Sequence, residues 1–406
     1  MPTLTRRSLL ARSAGVAAAA TLAPYFDLSR GWIASTAFAA TADNSGHAAA
    51  AYAVMQAQSP QQYFYQPSSK LYHEFYPYDP NQDQPNGYLW SFEEATRATL
   101  YLYGMPNGTA TYASAIQDRF TARETYWDGG TTRRAYRSYP QTGDRYYDDN
   151  CWAGSDLLQH HMLTTQASTS TALDRAKAVW SYIQTGWTTN LPNRGGVRWV
   201  DSSSNGDRAT DSTAGWAKLS AQLYDVTGRK TPAYLNAATQ AYAWLKQYML
   251  GSNGLYSNAM RADGQLDTKL WIYNQGIVIG AAVLLNRVTG KAQYLTEATS
   301  LADATLAAFG TDAYYSGADG AYSGRAIFNA IFFRNLLMLY AVTRNATYLQ
   351  KMQAYADTAW NDTNIHDGSG LFRLNGGTRY SLLDQAAMVQ VYAMLSWSPD
   401  QYAKLT

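Results

Sequence analysis

Between Asp211 and Met249 the chain places Trp216, Leu219, Ser220 and Leu223 at helical spacing, breaks at Thr227-Gly228-Arg229-Lys230-Thr231-Pro232, and resumes with Ala238, Tyr242, Leu245 and Met249. Positions i, i+3, i+4 and i+7 share one face of an α-helix. The stretch therefore reads as two helices joined by a short link, with Gly228 where a helix end needs positive φ. The same pattern recurs on either side, in Ala176/Trp180/Ile183/Trp187 and in Ile277/Ala281/Leu284/Val288, the latter followed by Thr289-Gly290-Lys291. Twelve such helices can be placed, in two interleaved series. One series starts near residues 89, 149, 211, 272, 326 and 380, and the other near 47, 111, 171, 233, 293 and 347. A spacing of about 60 residues marks a repeated supersecondary unit. Links from the first series to the second are short, whereas the return loops, such as Arg123 to Asp148 and Leu191 to Thr210, are long and rich in Gly, Asn, Asp, Tyr and Trp. The expected fold is all-α, an (α/α)6 barrel of six helical hairpins in one domain over residues 40–406. Its long loops and inner-helix N-termini gather on one rim, where a site belongs.

Composition narrows the partners. Among 406 residues, 32 Lys+Arg nearly balance 30 Asp+Glu, and the net charge of +2 gives no footprint for nucleic acid. Charged residues make up only 15%, against roughly 25% in an average soluble protein, while there are 33 Tyr and 12 Trp. Polar-tipped aromatics in place of charges suit a neutral, ring-shaped ligand. At the N-terminus, Thr5-Arg6-Arg7-Ser8-Leu9-Leu10 precedes the alanine-rich run Ala14 to Ala23, and Ala37-Phe38-Ala39 offers a cleavage site. Residues 1–39 read as a twin-arginine signal, too short to span a bilayer. No other window reads as long and apolar enough to anchor the chain. The expectation is a monomer exported to the cell envelope or beyond, without a membrane anchor once the signal is cleaved. Cys151 is the only cysteine, so no intrachain disulfide can form.

Chemistry concentrates at Asp148-Asp149, which ends the loop Arg145-Tyr146-Tyr147 and opens an inner helix. An N-cap with a first-turn acid accounts for one carboxylate. Two adjacent carboxylates among Tyr146, Tyr147 and Trp152 also suit paired acid and base work, and residue chemistry alone leaves both readings open. A diphosphate-binding DDxxD site is excluded, because position 152 is Trp. His160-His161 cannot face one metal together, no metal-ligand spacing is present, and Cys151 reads as a small buried side chain, so no metal or cofactor is expected.

Tyr147-Asp148-Asp149-Asn150 followed by Trp152, with Trp271-Ile272-Tyr273-Asn274-Gln275-Gly276 and Gly280-Ala281, resembles glycoside hydrolase family 76, the endo-α-1,6-mannanase family. Supporting matches are Tyr126-Trp127-Asp128, Gly195-Gly196-Val197-Arg198-Trp199 and Leu383-Asp384-Gln385-Ala386-Ala387. The resemblance implies retaining hydrolysis of α-1,6-mannan, with Asp148 as nucleophile and Asp149 as general acid/base. It also points to Tyr147, Asn150, Tyr273, Asn274, Gln275 and Asp263 as substrate-binding residues. Trp90, Trp127, Trp152 and Trp199 are candidate stacking platforms, with core packing the alternative for each. Asp384 and Asn274 read either as helix caps or as sugar contacts. Two departures stand out: Cys151 where Ala is expected, and Ala209-Thr210-Asp211-Ser212-Thr213 in place of an Asn-containing segment. Competing readings are a mannan-binding or transglycosylating wall-remodelling protein, and an unsaturated-uronyl hydrolase served by Arg133, Arg134 and Arg137.

Overall fold

Helices form where the periodicity places them. The computed structural model describes residues 43–58, 62–130, 134–164, 169–316, 326–374 and 377–406, so residues 1–39, expected to be a signal, and Arg133 lie outside the described residues. The inner series is α2 (Leu89–Tyr103), α4 (Tyr147–Leu163), α6 (Thr210–Val226), α8 (Ile272–Thr289), α10 (Ala326–Thr343) and α12 (Leu382–Leu395). The outer series is α1 (Asn44–Met55), α3 (Gly108–Arg123), α5 (Thr169–Gln184), α7 (Pro232–Tyr248), α9 (Ala292–Phe309) and α11 (Ala346–Asn361). Inner helices begin within two residues of the expected starts and outer ones within three. Trp187 is an exception: it falls past the end of α5 and bridges to Val197.

Each inner helix packs on the next, and α12 returns to α2, closing the ring. Five neighbouring pairs are hairpins, and the sixth pairs α12 with α1, so the first and last described helices meet across the seam. Burial follows from this arrangement. Every residue from Ala326 to Leu339 of α10 is buried, whereas α9 buries only the stripe Ala298, Leu301, Ala302, Thr305 and Phe309. The composition of α10 also corrects the reading that no window is apolar enough for a span. Ala326–Thr343 has the length and apolarity, but 78% of it is buried inside the barrel. At the short links Gly290 takes φ 71° directly after α8, as a helix C-terminus requires.

Five inner helices fasten a long loop in the same way, through a buried polar side chain at their fourth residue. Asn150 accepts from the Tyr136 N–H (2.9 Å) and donates to its carbonyl (3.0 Å). Gln275 does the same to Tyr256, at 2.8 and 2.9 Å. Thr213 Oγ1 accepts from Val197 N–H (2.9 Å), Asn329 donates to the Tyr314 carbonyl (2.9 Å), and Gln385 accepts from Phe372 N–H (3.1 Å). Buried loop backbone needs such partners, and the fourth position lies just inside the rim. The departure at 209–213 is thereby absorbed, since Thr213 fastens its loop with one hydroxyl.

Below the rim, buried ion pairs link the helices of the barrel. Arg97 pairs with Asp156 (2.5 Å), Arg123 with Glu93 (2.8 Å) and Arg334 with Glu94 (3.4 Å), all buried. Lys218 donates to Asn335 Oδ1 (2.6 Å). Burial, reinforced by Arg334 and Arg97, pushes the Lys218 amine well below its ordinary range.

Candidate active site

The start of α4 is set by a neighbouring loop. Tyr147 N–H donates to the Trp199 carbonyl and Asp201 N–H to the Arg145 carbonyl, both at 2.9 Å. This extended pairing carries the chain straight to α4, whose N-cap is Tyr146, in extended conformation and without a side-chain cap bond. The capping reading of the acidic pair therefore fails: Asp148 and Asp149 are the second and third residues of the helix. Both are buried, at 0% and 3% exposure. The same pairing brings Trp199, half-buried, over the pair, and its indole Nε1–H donates to Asp148 Oδ2 (3.2 Å). Tyr146 meets the Trp199 ring edge-on at 5.0 Å.

The second and third positions of the other inner helices complete a ring. They supply Trp90 on α2, Asp211 on α6, Tyr273 and Asn274 on α8, Phe328 on α10 and Asp384 on α12. Tyr273 stacks on Phe328 (4.6 Å, 25°), Trp90 stacks on Phe328 from farther away (6.2 Å, 19°), and Trp271 meets Phe328 edge-on (5.4 Å). Tyr273 Oη donates to Asp211 Oδ2 (3.2 Å). Three of the six helix starts thus bring aromatic rings and three bring carboxylates, Asp384 standing between the Phe328 and Trp90 helices, and the N-terminal ends of the helix dipoles favour negative charge there. Cys151 lies under the carboxylates of α4 and α6. Burial, then the charges of Asp148, Asp211 and Asp149, push its thiol well above the ordinary range, so it is a poor nucleophile.

Several candidate residues sit elsewhere in the architecture. Tyr147 stacks on Tyr182 (4.9 Å) toward the outer layer. Asn150 and Gln275 spend their amides on loop backbone, as described above. Trp127 lies on a rim hairpin with the Arg175 guanidinium 3.8 Å over its ring. Trp152 sits one turn below the pair, between Arg334 (5.2 Å) and Arg97 (5.8 Å). Asp263 is exposed in the turn of another hairpin and accepts from Gln265 N–H (2.9 Å). Asn274 does not cap α8, whose N-cap is Trp271; it is buried and approaches Asn258 Oδ1 at 3.5 Å. Nor does Asp384 cap α12: Ser381 does, accepting from the Asp384 N–H, while Asp384 Oδ2 accepts from Leu374 N–H (3.3 Å). Of the basic loop residues, Arg137 is paired with Asp128 (2.6 Å) and Arg134 is exposed. Among the described residues no cluster of His, Cys, Asp and Glu is arranged to hold a metal. Asp211, Trp271 and Phe328 were not singled out as site residues from sequence. Their signal is positional, since each lies at or next to the start of an inner helix.

A helical barrel with paired carboxylates and an aromatic wall on its loop-bearing rim defines a class, the helical-barrel glycoside hydrolases. The chain matches glycosyl hydrolase family 76 over residues 45–397 and belongs to that family. Its fold is similar to a family 76 glycoside hydrolase from a bovine Bacteroides thetaiotaomicron strain, at 26% identity and TM-score 0.76, covering 88% of this chain and 78% of that one. A family 76 mannosidase from Bacteroides thetaiotaomicron aligns at 23% identity and TM-score 0.76, over 87% and 98%. An inactive variant of a Salegentibacter α-1,6-mannanase with two adjacent Asp-to-Asn changes, in complex with α-1,6-mannotriose, aligns at 18% identity and TM-score 0.70, over 87% and 99%. No curated protein matches the chain.

Proposed function

We propose that this glycoside hydrolase is an exported, endo-acting, retaining α-1,6-mannanase that acts as a monomer and needs no cofactor. The observation that carries the reading is the first turn of α4, where Asp148 and Asp149 stand side by side at the N-terminus of a buried helix, with the Trp199 indole N–H donating to Asp148. An N–H donor suits a carboxylate used in its charged, accepting form, as a nucleophile is. In this reading Asp148 attacks the anomeric carbon while Asp149 gives its proton to the departing glycosidic oxygen. Asp149 then takes a proton from water, which opens the glycosyl ester and regenerates Asp148. The aromatic rings of the rim supply a face for the pyranose C–H groups. The mannotriose held by the Salegentibacter relative supports the linkage, and the arginine pair ahead of Ala14 to Ala23 supports export. With Arg137 engaged by Asp128 and carboxylates on the rim, an acidic sugar is disfavoured. The test is digestion of linear α-1,6-mannan by the purified chain beside Asp148→Asn and Asp149→Asn, with products read by chromatography and the first-formed anomer by NMR. Short α-configured manno-oligosaccharides from the wild type alone are expected. Failure of the wild type to cut overturns the mannan reading.

A further inference from the structure

A third carboxylate stands beside the Asp148–Asp149 pair. Asp211 occupies on α6 the second position that Asp148 occupies on α4. The two helices come close because Gly215 faces Cys151: a Cβ on Gly215 would lie 2.8 Å from the Cys151 Cβ and 3.0 Å from its sulfur. Their first turns are drawn together, and the Cys151 thiol is acted on by Asp148, Asp211 and Asp149 alike. Asp211 is 5% exposed. Its Oδ1 accepts from the Ser212 N–H (2.6 Å) and hydroxyl (3.3 Å), and its Oδ2 accepts from Tyr273 Oη (3.2 Å), so the carboxylate plane is fixed at both ends.

The Tyr273–Asp211 hydrogen bond joins the carboxylates of α4 and α6 to the aromatic rings of α8 and α10. A pyranose seated here lays a C–H face on Tyr273, which Phe328 backs (4.6 Å), and turns its hydroxyls toward the carboxylates. Asp148 and Asp149 are committed to the glycosidic bond in the reading above. Resting on that reading, we propose that Asp211 is a specificity-determining residue: it accepts a hydrogen bond from one ring hydroxyl of the sugar at the scissile bond, with Tyr273 holding the carboxylate in place for that contact. Selection then follows the configuration of that hydroxyl, because a sugar that cannot present it forgoes a charge-assisted hydrogen bond to a carboxylate already fixed in place.

The experiment compares wild type, Asp211→Asn and Tyr273→Phe on linear α-1,6-mannan and on a series of α-1,6-mannotriosides lacking single ring hydroxyls, with Tm recorded for each protein. Asp211→Asn is expected to lower kcat/KM on the order of 10- to 100-fold, mainly through KM. One deoxygenated position should cost the wild type a similar factor yet cost Asp211→Asn little. Tyr273→Phe, which keeps the carboxylate, should soften the penalty at that same position, and it carries the test if Asp211→Asn does not fold. Wild-type cleavage with a deoxygenation profile unchanged in the variants overturns the role of Asp211 and leaves the mannanase reading standing. A wild type that does not cut α-1,6-mannan overturns that reading and this proposal with it.

Discussion

Asp148 accepts a hydrogen bond from a side chain that its sequence neighbours do not supply, the indole of Trp199. That indole comes from a loop some fifty residues away, held by the pairing of Arg145 and Tyr147 with Trp199 and Asp201. Sequence presented Trp199 as a stacking platform. The structure adds a hydrogen bond whose removal should act on turnover. Trp199→Phe keeps an aromatic ring but loses the N–H along with part of the ring area, so kcat should fall about tenfold, the equivalent of one hydrogen bond, with KM changed less than threefold. Steady-state kinetics on linear α-1,6-mannan measures it. A change confined to KM would instead mark Trp199 as a platform. The acidic pair itself was legible, because two adjacent carboxylates at a helix start exceed what a cap requires. Its placement was not, since the cap turned out to be Tyr146, whose extended backbone no side-chain preference announces.

At the scale of elements, the inner helices do two jobs in a single turn. Their second and third residues face the rim, and their fourth reaches back to fasten a loop, because successive residues on a helix point roughly 100° apart. Gln275 illustrates how this division escaped the sequence. It lies next to Asn274 in a motif associated with sugar binding, yet its amide contacts the Tyr256 N–H, the Tyr256 carbonyl and the Trp271 carbonyl. Gln275→Ala should therefore cost about 2–3 kcal/mol of stability, through buried backbone groups left without partners. Residual activity at a temperature where the variant is fully folded should show a near-normal KM. Chemical denaturation and kinetics below Tm separate the two effects. Asn150 and Gln385 belong to the same class of fastening, which repeats around the barrel with the period already visible in the sequence.

The whole molecule is a ring closed where α12 returns to α2, with buried ion pairs under the rim. Asp156 is 0% exposed and lies between Arg97 (2.5 Å) and Arg123 (3.8 Å). Breaking such a pair leaves buried guanidinium charge uncompensated. Asp156→Asn is nearly isosteric, yet it should lower stability by about 3–5 kcal/mol, read as the shift in urea midpoint at constant m. A loss below 1 kcal/mol would mean that the arginines are satisfied by other partners. Because Trp152 sits between Arg97 and Arg334 one turn below Asp148, the same variant should also lose activity before it unfolds on heating.

The sequence by itself determined the helices, their alternation, the barrel and the rim that bears the site, because apolar periodicity and link length are local properties. Helix starts were readable to within two or three residues for that reason. It also marked Asp148 and Asp149, whose adjacency is written in the chain. Tertiary structure decided which polar residues face the site and which hold the fold. That choice depends on the rotation of each helix about its axis and on contacts between distant loops. Asp211 and Phe328 join the ring, and Gln275 and Asn150 leave it, only once six helix starts converge on one axis.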